Sequence, residues 1–172
     1  MKNFIPYMEK RPRIEEDVYI DPSSWIIGDV LLKRGCSIWP MCVLRADAER
    51  IVIEEEAAVL DKVLIESPTR TLIGKRALIS HGAILHGCTV GEGALVGIGA
   101  IVLDRVVVGA SAMIGAGSVV SPGMVIPESS LVLGIPGKVI RPLKPEEVER
   151  ITSQVHDLGE KARRYRAALQ NT

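Results

Sequence analysis

A repeat of six residues runs through the second half of the sequence and constrains the fold more than any other feature. Every sixth residue over a long stretch is isoleucine or valine, namely Ile84, Val90, Val96, Val102, Val108, Ile114, Val120, Ile126 and Val132. A small residue usually stands two positions earlier, and a glycine often follows directly. Six residues suit one short strand and one turn but are too few for a pair of helices, so the repeat predicts a parallel β-helix of hexapeptide units.

The first half of the sequence keeps this rhythm less regularly. Six-residue steps between aliphatic residues run over positions 32–44, 53–65 and 73–79, and a five-residue step then leads to Ile84. In such a fold three hexads form one triangular coil, the aliphatic residue points inward, and the coils stack at about the strand spacing of 4.8 Å. A β-sandwich is the alternative, but it would show a turn every ~8–12 residues and more aromatic residues than the 3% found here. The sequence therefore predicts a mainly β fold.

The pattern changes to that of a helix after Pro142. Pro145 and the two glutamates after it make a favourable first turn. An apolar stripe at three- and four-residue spacing follows, made of Val148, Ile151, Val155, Leu158, Ala162, Tyr165 and Leu169. We therefore expect a β-helix with a short N-terminal segment over residues 1–142. A C-terminal α-helix over residues 143–172 should pack on this β-helix or on a neighbouring subunit.

Charge and composition exclude several classes of function. The 21 basic and 21 acidic residues balance, so the sequence offers neither a nucleic-acid footprint nor a basic patch for a membrane surface. No apolar run approaches the ~20 residues that cross a membrane, and the first residues lack the apolar core of a signal peptide. We therefore expect a soluble, cytoplasmic protein without a nucleic-acid or membrane partner.

The three cysteines, Cys36, Cys42 and Cys88, each stand four residues after an aliphatic position of the repeat. That position is the small inward slot of a hexad. We therefore expect buried small side chains rather than nucleophiles or metal ligands. An odd number of cysteines also argues against a disulfide framework.

Two of the three histidines lie in the segment HGAILHGC, as His81 and His86. Each stands two residues after an aliphatic position, so we expect both to occupy the same outward or turn position of successive hexads. Counting three hexads per coil places Glu66 directly below His86, and Arg45 below Glu66. If the prism forms a trimer along this edge, His81 of one subunit can approach Glu66 and His86 of the next. Two imidazoles with one further donor match the ligand count of an open zinc site.

Five motifs connect the chain to a known family: SIWPMCVLRAD (residues 37–47), LDKVLIE (60–66), SHGAILHGC (80–88), VGIGAIVLD (96–104) and LVLGIPGKVIR (131–141). Together they resemble the γ-class carbonic anhydrases and their close relatives, over about residues 10–142. The resemblance implies a left-handed β-helix, a homotrimer, and a site for zinc or iron between subunits that hydrates CO2 to bicarbonate. It also implies that three histidines hold the metal. Two of these ligands match His81 and His86, and the third falls at Glu66.

Only some of the other residues that the family motifs contain are present in this chain. Arg45 and Asp47 match a family ion pair that holds the trimer interface together, and Asp61 matches a family aspartate of the site, so we expect all three in the catalytic group. The glutamine that usually precedes this aspartate, and that is thought to orient the attacking water, is replaced by Leu60. The acidic residue that assists proton transfer in some members falls at Ala48.

Three interpretations of Glu66 are open. Its carboxylate can complete a site of two histidines and one glutamate, although it then cancels part of the charge of the ion. It can instead pair with Arg45 or with a cation across the interface, which leaves His81 and His86 as a weak site. In the third interpretation both histidines are hydrogen-bonded in the interface and no metal is bound. We expect CO2 hydration that is weak or absent.

Two other functions are compatible with the repeat. Many hexapeptide β-helices are trimeric acyltransferases that use CoA with a histidine as general base, and residues 134–141 resemble their last coils. Such enzymes generally carry a long excursion that binds the acceptor, whereas the interruptions here add only two or three residues. The remaining alternative is a trimeric scaffold without catalysis.

Overall fold

The computed structural model of the protein describes residues 3–170. The first strands are β1 (Phe4–Ile5), β2 (Arg13–Ile14), β3 (Tyr19–Ile20), β4 (Trp25–Leu32), β5 (Ser37–Ile38), β6 (Val43–Ile53), β7 (Ala58–Val59), β8 (Leu64–Glu66), β9 (Thr71–Ile73) and β10 (Leu78–Ile79). They are followed by β11 (Ile84–His86), β12 (Thr89–Val90), β13 (Leu95–Val96), β14 (Ile101–Val102), β15 (Val107–Val108), β16 (Met113–Ile114), β17 (Val119–Val120), β18 (Val125–Ile126), β19 (Ser130–Leu133), β20 (Lys138–Pro142) and the helix α1 (Pro145–Gln170). Within the described part of the chain, no helix has the length and apolar character needed to span a membrane.

The strands wind into a left-handed parallel β-helix of about seven turns, which confirms the predicted fold. Face 1 of the prism contains β8, β11, β14 and β17, and face 2 contains β9, β12, β15 and β18. Face 3 contains β3, β5, β7, β10, β13, β16, β19 and β20, of which only β20 runs antiparallel to its neighbour. The long strands β4 and β6 bend across the edge between face 1 and face 2.

The interior of the prism is filled by the predicted aliphatic residues. From Val90 to Val132, every predicted inward position is at most 1% exposed. Cys36, Cys42 and Cys88 are buried in the same core and form no disulfide. Small and β-branched side chains pack in a space that is too narrow for aromatic rings, which explains the low aromatic content of the chain.

The repeat departs from its predicted phase at Ile84. This residue is 38% exposed, whereas Leu85 is fully buried and lies in register with Ile65 and Val102. The five-residue step therefore follows Leu85 instead of preceding Ile84. The cause is a short corner, because only two residues separate β11 from β12, while four separate β10 from β11. Ile84 and Leu85 are both aliphatic, so the sequence alone did not decide which of them points inward.

Glycine follows several inward residues because neighbouring coils approach closely at the corners. A Cβ atom on Gly91 would lie 2.6 Å from the backbone nitrogen of Ala110 in the next coil. That distance is far below van der Waals contact, so a larger residue would push the two coils apart. The glycine at this position of the hexad is therefore a packing requirement.

The helix α1 covers face 3. Ile151, Val155 and Ala162 are at most 6% exposed, and they join a second apolar cluster that includes Tyr19 and Leu60. These residues of the amphipathic stripe pack on the β-helix of the same chain, whereas Tyr165 and Leu169 at its end stay exposed. Burial of this stripe leaves face 1 and face 2 uncovered by the helix.

Candidate metal centre

The predicted column of Arg45, Glu66 and His86 is confirmed. The three residues lie in register on β6, β8 and β11, at the edge where face 1 turns into face 2. Oε1 of Glu66 lies 2.5 Å from Nη2 of Arg45, and Oε2 lies 3.8 Å from Nε2 of His86. The first contact is a charge-assisted hydrogen bond, whereas the second is too long for a hydrogen bond. Glu66 therefore has one oxygen engaged and one oxygen that faces the imidazole.

The other ring nitrogen of His86 contacts Asp104. Nδ1 lies 3.0 Å from Oδ2 of Asp104, which stands in the corner after β14, one coil above. An ionised carboxylate only accepts hydrogen bonds, so this contact places a hydrogen on Nδ1. Sequence reasoning did not single out Asp104 as a site residue. The available signal was its separation of 18 residues from His86, which equals three hexads.

A second pair occupies the opposite edge of face 1. His81 lies in the corner between β10 and β11, directly above Asp61 in the corner after β7. Nδ1 of His81 is 3.0 Å from Oδ2 of Asp61. The exposed fractions of the two side chains are 53% and 37%, so this edge is open to a partner.

The prediction that both histidines occupy the same position of successive hexads is wrong. His81 is a corner residue, whereas His86 is the last residue of β11 and directly follows the inward Leu85. Strand β11 lies between the two histidines and places them at opposite edges of face 1. Within residues 3–170, no group of three or more His, Cys, Asp or Glu side chains is arranged to hold a metal.

The donor atoms nevertheless suit a transition metal, provided that the two edges that meet at it come from different copies of the chain. Each histidine uses Nδ1 for a carboxylate and keeps Nε2 for another partner, which is the usual arrangement of metal-binding histidines. Tetrahedral ligands of zinc lie about 3.4 Å apart, and Nε2 of His86 is 3.8 Å from the second oxygen of Glu66. The residues that would hold zinc or iron are therefore His86 and Glu66 of one chain and His81 of another copy of the chain.

Arg45 occupies one oxygen of Glu66, so any bound cation would share this carboxylate with it. Burial acts to lower the pKa of Arg45, but the charges of Asp47 and Glu66 outweigh it and raise that pKa above its usual range. Nη1 of Arg45 lies 2.8 Å from Oδ2 of Asp47 in the same chain. The ion pair that the resemblance places at the interface thus already forms within one chain, where it fixes the guanidinium below Glu66.

Two positions that depart from the family have different surroundings. Leu60 is 2% exposed and packs in the apolar cluster beneath α1. Ala48 is exposed in the middle of β6. A polar side chain would therefore be buried by the chain itself at position 60, whereas it would be solvated at position 48.

The three cysteines add no candidate ligands. Burial raises the pKa of Cys42 and Cys88 to about 12, and burial also raises the pKa of Cys36. These thiols are neutral at pH 7, and the thiolate is the form that binds metals or attacks substrates. The prediction of buried, unreactive cysteines agrees with this environment.

Solved structures share the fold over nearly the whole chain. A hexapeptide transferase family protein from Anaplasma phagocytophilum superimposes with a TM-score of 0.93 at 33% sequence identity, over 96% of this chain and 99% of that one. A putative acetyltransferase from Bacillus cereus gives a TM-score of 0.91 at 34% identity, over 96% of this chain and 97% of that one.

Sequence relatives specify the family. No family model matches the chain. A probable carbonic anhydrase from Methanocaldococcus jannaschii is 44% identical over 140 residues, which is 80% of this chain and 88% of that protein. The mitochondrial gamma carbonic anhydrase 2 of Arabidopsis thaliana is 39% identical over 88 residues, which is 46% of this chain but only 32% of that protein. The chain therefore belongs to the γ-class carbonic anhydrase-like family of hexapeptide-repeat proteins.

Proposed function

We propose that the protein is a homotrimer with a metal site at each interface, held by His81 of one subunit and by Glu66 and His86 of the next. The observation that carries this proposal is the division of the donors between opposite edges of face 1. Each chain then has two incomplete sites, and a closed ring of chains completes all of them. Zinc and ferrous iron are the candidate ions, because imidazole and carboxylate donors suit both.

The surface between the two edges supports this assembly. An outward-facing apolar column crosses face 1 in register, made of Trp25, Val43, Leu64, Ile84, Ile101 and Val119. Two of its members stay well exposed in the single chain, Trp25 at 43% and Ile84 at 38%. A continuous apolar stripe between polar edges is typical of a surface that another protein chain covers.

The residues of the site favour weak or absent CO2 hydration. A bound zinc or iron ion would supply the positive charge that makes water acidic enough for this reaction. Glu66 reduces that charge, and Arg45 holds one of its oxygens. Oδ2 of Asp61 lies 3.0 Å from Nδ1 of His81, so Nε2 is the ring nitrogen left to bind a metal. Leu60 offers no hydrogen bond to an attacking oxygen, which the family glutamine is thought to provide.

Arg45 and Asp47 act as positioning residues in this proposal. Asp47 holds the guanidinium of Arg45, and Arg45 in turn holds Oε1 of Glu66. The second carboxylate oxygen is thereby directed toward His86. The pairing of Glu66 with Arg45 and its service as a metal donor are therefore compatible, because they use different oxygens.

Metal analysis of alanine variants tests the shared site. The protein is stripped with a chelator, reloaded with zinc or ferrous iron, and analysed for bound metal. We expect about one ion per subunit in the wild type and loss of most of it in His81→Ala, Glu66→Ala and His86→Ala alike. His156→Ala is the matched control, because this third histidine is exposed on α1. Full occupancy in Glu66→Ala, beside loss in His81→Ala, would remove the carboxylate from the donor set.

Light scattering at micromolar concentration tests the assembly independently of the metal. We expect the mass of a trimer for the wild type, because assembly would remove the apolar column of face 1 from contact with water. The mass of a monomer would contradict the trimer and, with it, a site whose donors come from two chains.

An acyltransferase that uses CoA is the second candidate function. It is favoured by the two solved structures that are named a hexapeptide transferase family protein and a putative acetyltransferase. His86, held by Asp104, would serve as the general base. Calorimetric titration with acetyl-CoA separates the candidates, because saturable binding without metal binding would favour acyl transfer. Binding of neither ligand would favour the non-catalytic trimeric scaffold.

A further inference from the structure

We propose that Asp104 is a positioning residue of the metal site, which holds His86 in the tautomer that carries hydrogen on Nδ1 and leaves the lone pair of Nε2 facing Glu66. The inference rests on the proposed metal site and deepens it, because neither the repeat nor the family resemblance assigned a role to Asp104. The residue acts through the ring of His86 rather than on the ion itself.

The two contacts of the His86 ring decide its tautomer. Nδ1 lies 3.0 Å from Oδ2 of Asp104, and the ionised carboxylate has no hydrogen to donate. Nε2 lies 3.8 Å from Oε2 of Glu66, which is beyond hydrogen-bond distance. The only hydrogen of a neutral ring is therefore best placed on Nδ1, and the bond made by one nitrogen sets the state of the other. An imidazole binds a metal through the nitrogen that carries no hydrogen, so Nε2 is the donor.

The packing beside the ring leaves space for this contact. Gly87 has a φ angle of 56°, in the left-handed region that favours glycine. A Cβ atom on Gly87 would lie 2.5 Å from Oγ1 of Thr69 and 3.3 Å from Oδ1 of Asp104. Glycine thus leaves room for the Asp104 carboxylate that contacts His86, and lets Thr69 pack against the backbone of residue 87. The Thr69 hydroxyl also donates to the backbone oxygen of Gly87 over 3.1 Å.

The backbone of the Asp104 corner is fixed from two sides. The backbone nitrogen of Arg105 donates to the oxygen of Gly87 over 2.7 Å, and the nitrogen of Gly123 donates to the oxygen of Asp104 over 2.8 Å. These bonds tie the corner to the coil below and to the coil above. The carboxylate therefore reaches His86 from a rigid support, as an orienting group requires.

Asp104→Ala and Asp104→Asn test the proposal with two readouts. In the metal-free protein, the ¹⁵N shifts of the ring nitrogens should show the Nδ1–H tautomer of His86 in the wild type and its loss in Asp104→Ala. Loss of such a partner typically lowers metal affinity ~10–100-fold, so zinc affinity should fall by that factor in Asp104→Ala. Asp104→Asn keeps an acceptor oxygen without the charge, so both effects should be smaller. Asp29→Asn is the control that should change neither, because Asp29 pairs with Arg13 and Arg50.

The outcomes separate this proposal from the metal site on which it rests. An unchanged tautomer of His86 in Asp104→Ala, or a zinc affinity equal to that of a zinc-binding wild type, would overturn the role of Asp104. A tautomer that changes as expected, in a protein that binds no zinc in any variant, would support the role of Asp104 and overturn the shared site. Asp104→Asn keeps the comparison decisive if the alanine variant does not fold.

Discussion

The guanidinium of Arg45 lies directly below the carboxylate of Glu66, with Nη2 and Oε1 2.5 Å apart. A histidine at position 66, as the family has it, would form no such ion pair. In this chain the arginine compensates the charge of Glu66 before any metal arrives. The same contact means that a bound cation shares the carboxylate with Arg45, which weakens the hold of Glu66 on the ion.

Replacement of this carboxylate by imidazole is expected to increase activity. In Glu66→His, three neutral imidazoles would leave the full charge of the ion available to acidify water. With zinc or ferrous iron loaded, stopped-flow CO2 hydration at pH 7.5 should be weak or undetectable in the parent and at least ~10-fold faster in Glu66→His. A parent that is as fast as the variant would show that Glu66 does not impair the site.

Restoration of the family glutamine should destabilise the fold. Leu60 is 2% exposed among apolar neighbours, and an amide buried without a partner costs about 1–3 kcal/mol. We expect urea denaturation of Leu60→Gln to show a loss of that size in the free energy of unfolding. Leu133→Gln is the matched control, because Leu133 is 42% exposed. Equal losses in the two variants would show that burial at position 60 is not the cause. Because Leu60→Gln is expected to destabilise the chain, the activity of Glu66→His should first be measured without the Leu60→Gln substitution.

A charge on face 1 should break the assembly without unfolding the chain. Ile84 points outward in the middle of the apolar column and is 38% exposed, so Ile84→Glu can be solvated in a monomer. We expect sedimentation velocity to show monomers for Ile84→Glu with an unchanged circular dichroism spectrum. Val125→Glu, at a position that is 71% exposed on face 2, should remain trimeric. A trimer in both variants would exclude face 1 as the interface.

The buried thiols should make the protein less stable in alkali. Burial raises the pKa of Cys42 and Cys88 to about 12, well above the ~8.5 of an unfolded cysteine. Between these values the unfolded chain loses thiol protons that the folded chain keeps, so the free energy of unfolding falls as pH rises. Urea unfolding at pH 8 and pH 10 should show a smaller fall in Cys88→Ala than in the wild type. An equal fall would mean that Cys88 ionises as readily in the folded chain.

The six-residue period was sufficient to predict most of the interior and the column at the site. Inward residues repeat at a fixed interval wherever each corner has the same length, as from Val90 to Val132. The column of Arg45, Glu66 and His86 followed from counting three hexads per coil, and strand pairing bears it out. The period worked because parallel strands stack in register, coil upon coil.

Corners were the features that the sequence did not resolve. The short corner after β11 shifts the phase by one residue, so Ile84 and Leu85 exchange their predicted places and His86 leaves the corner position. Asp104 was overlooked for the same reason, because the contacts of a corner residue depend on how many residues each corner holds. The trimer, the metal and the cytoplasmic location stay predictions.

The placement of His81 and His86 at opposite edges of face 1 has a genetic consequence. In the proposed ring, a chain without His81 can still lend His86 to one neighbour, and a chain without His86 can still lend His81 to the other. Coexpression of two such defective forms would rebuild one intact site in every mixed ring, although neither form builds any alone. Complementation between two null alleles would then arise at the interface, because each functional site is built by two polypeptides and not by one.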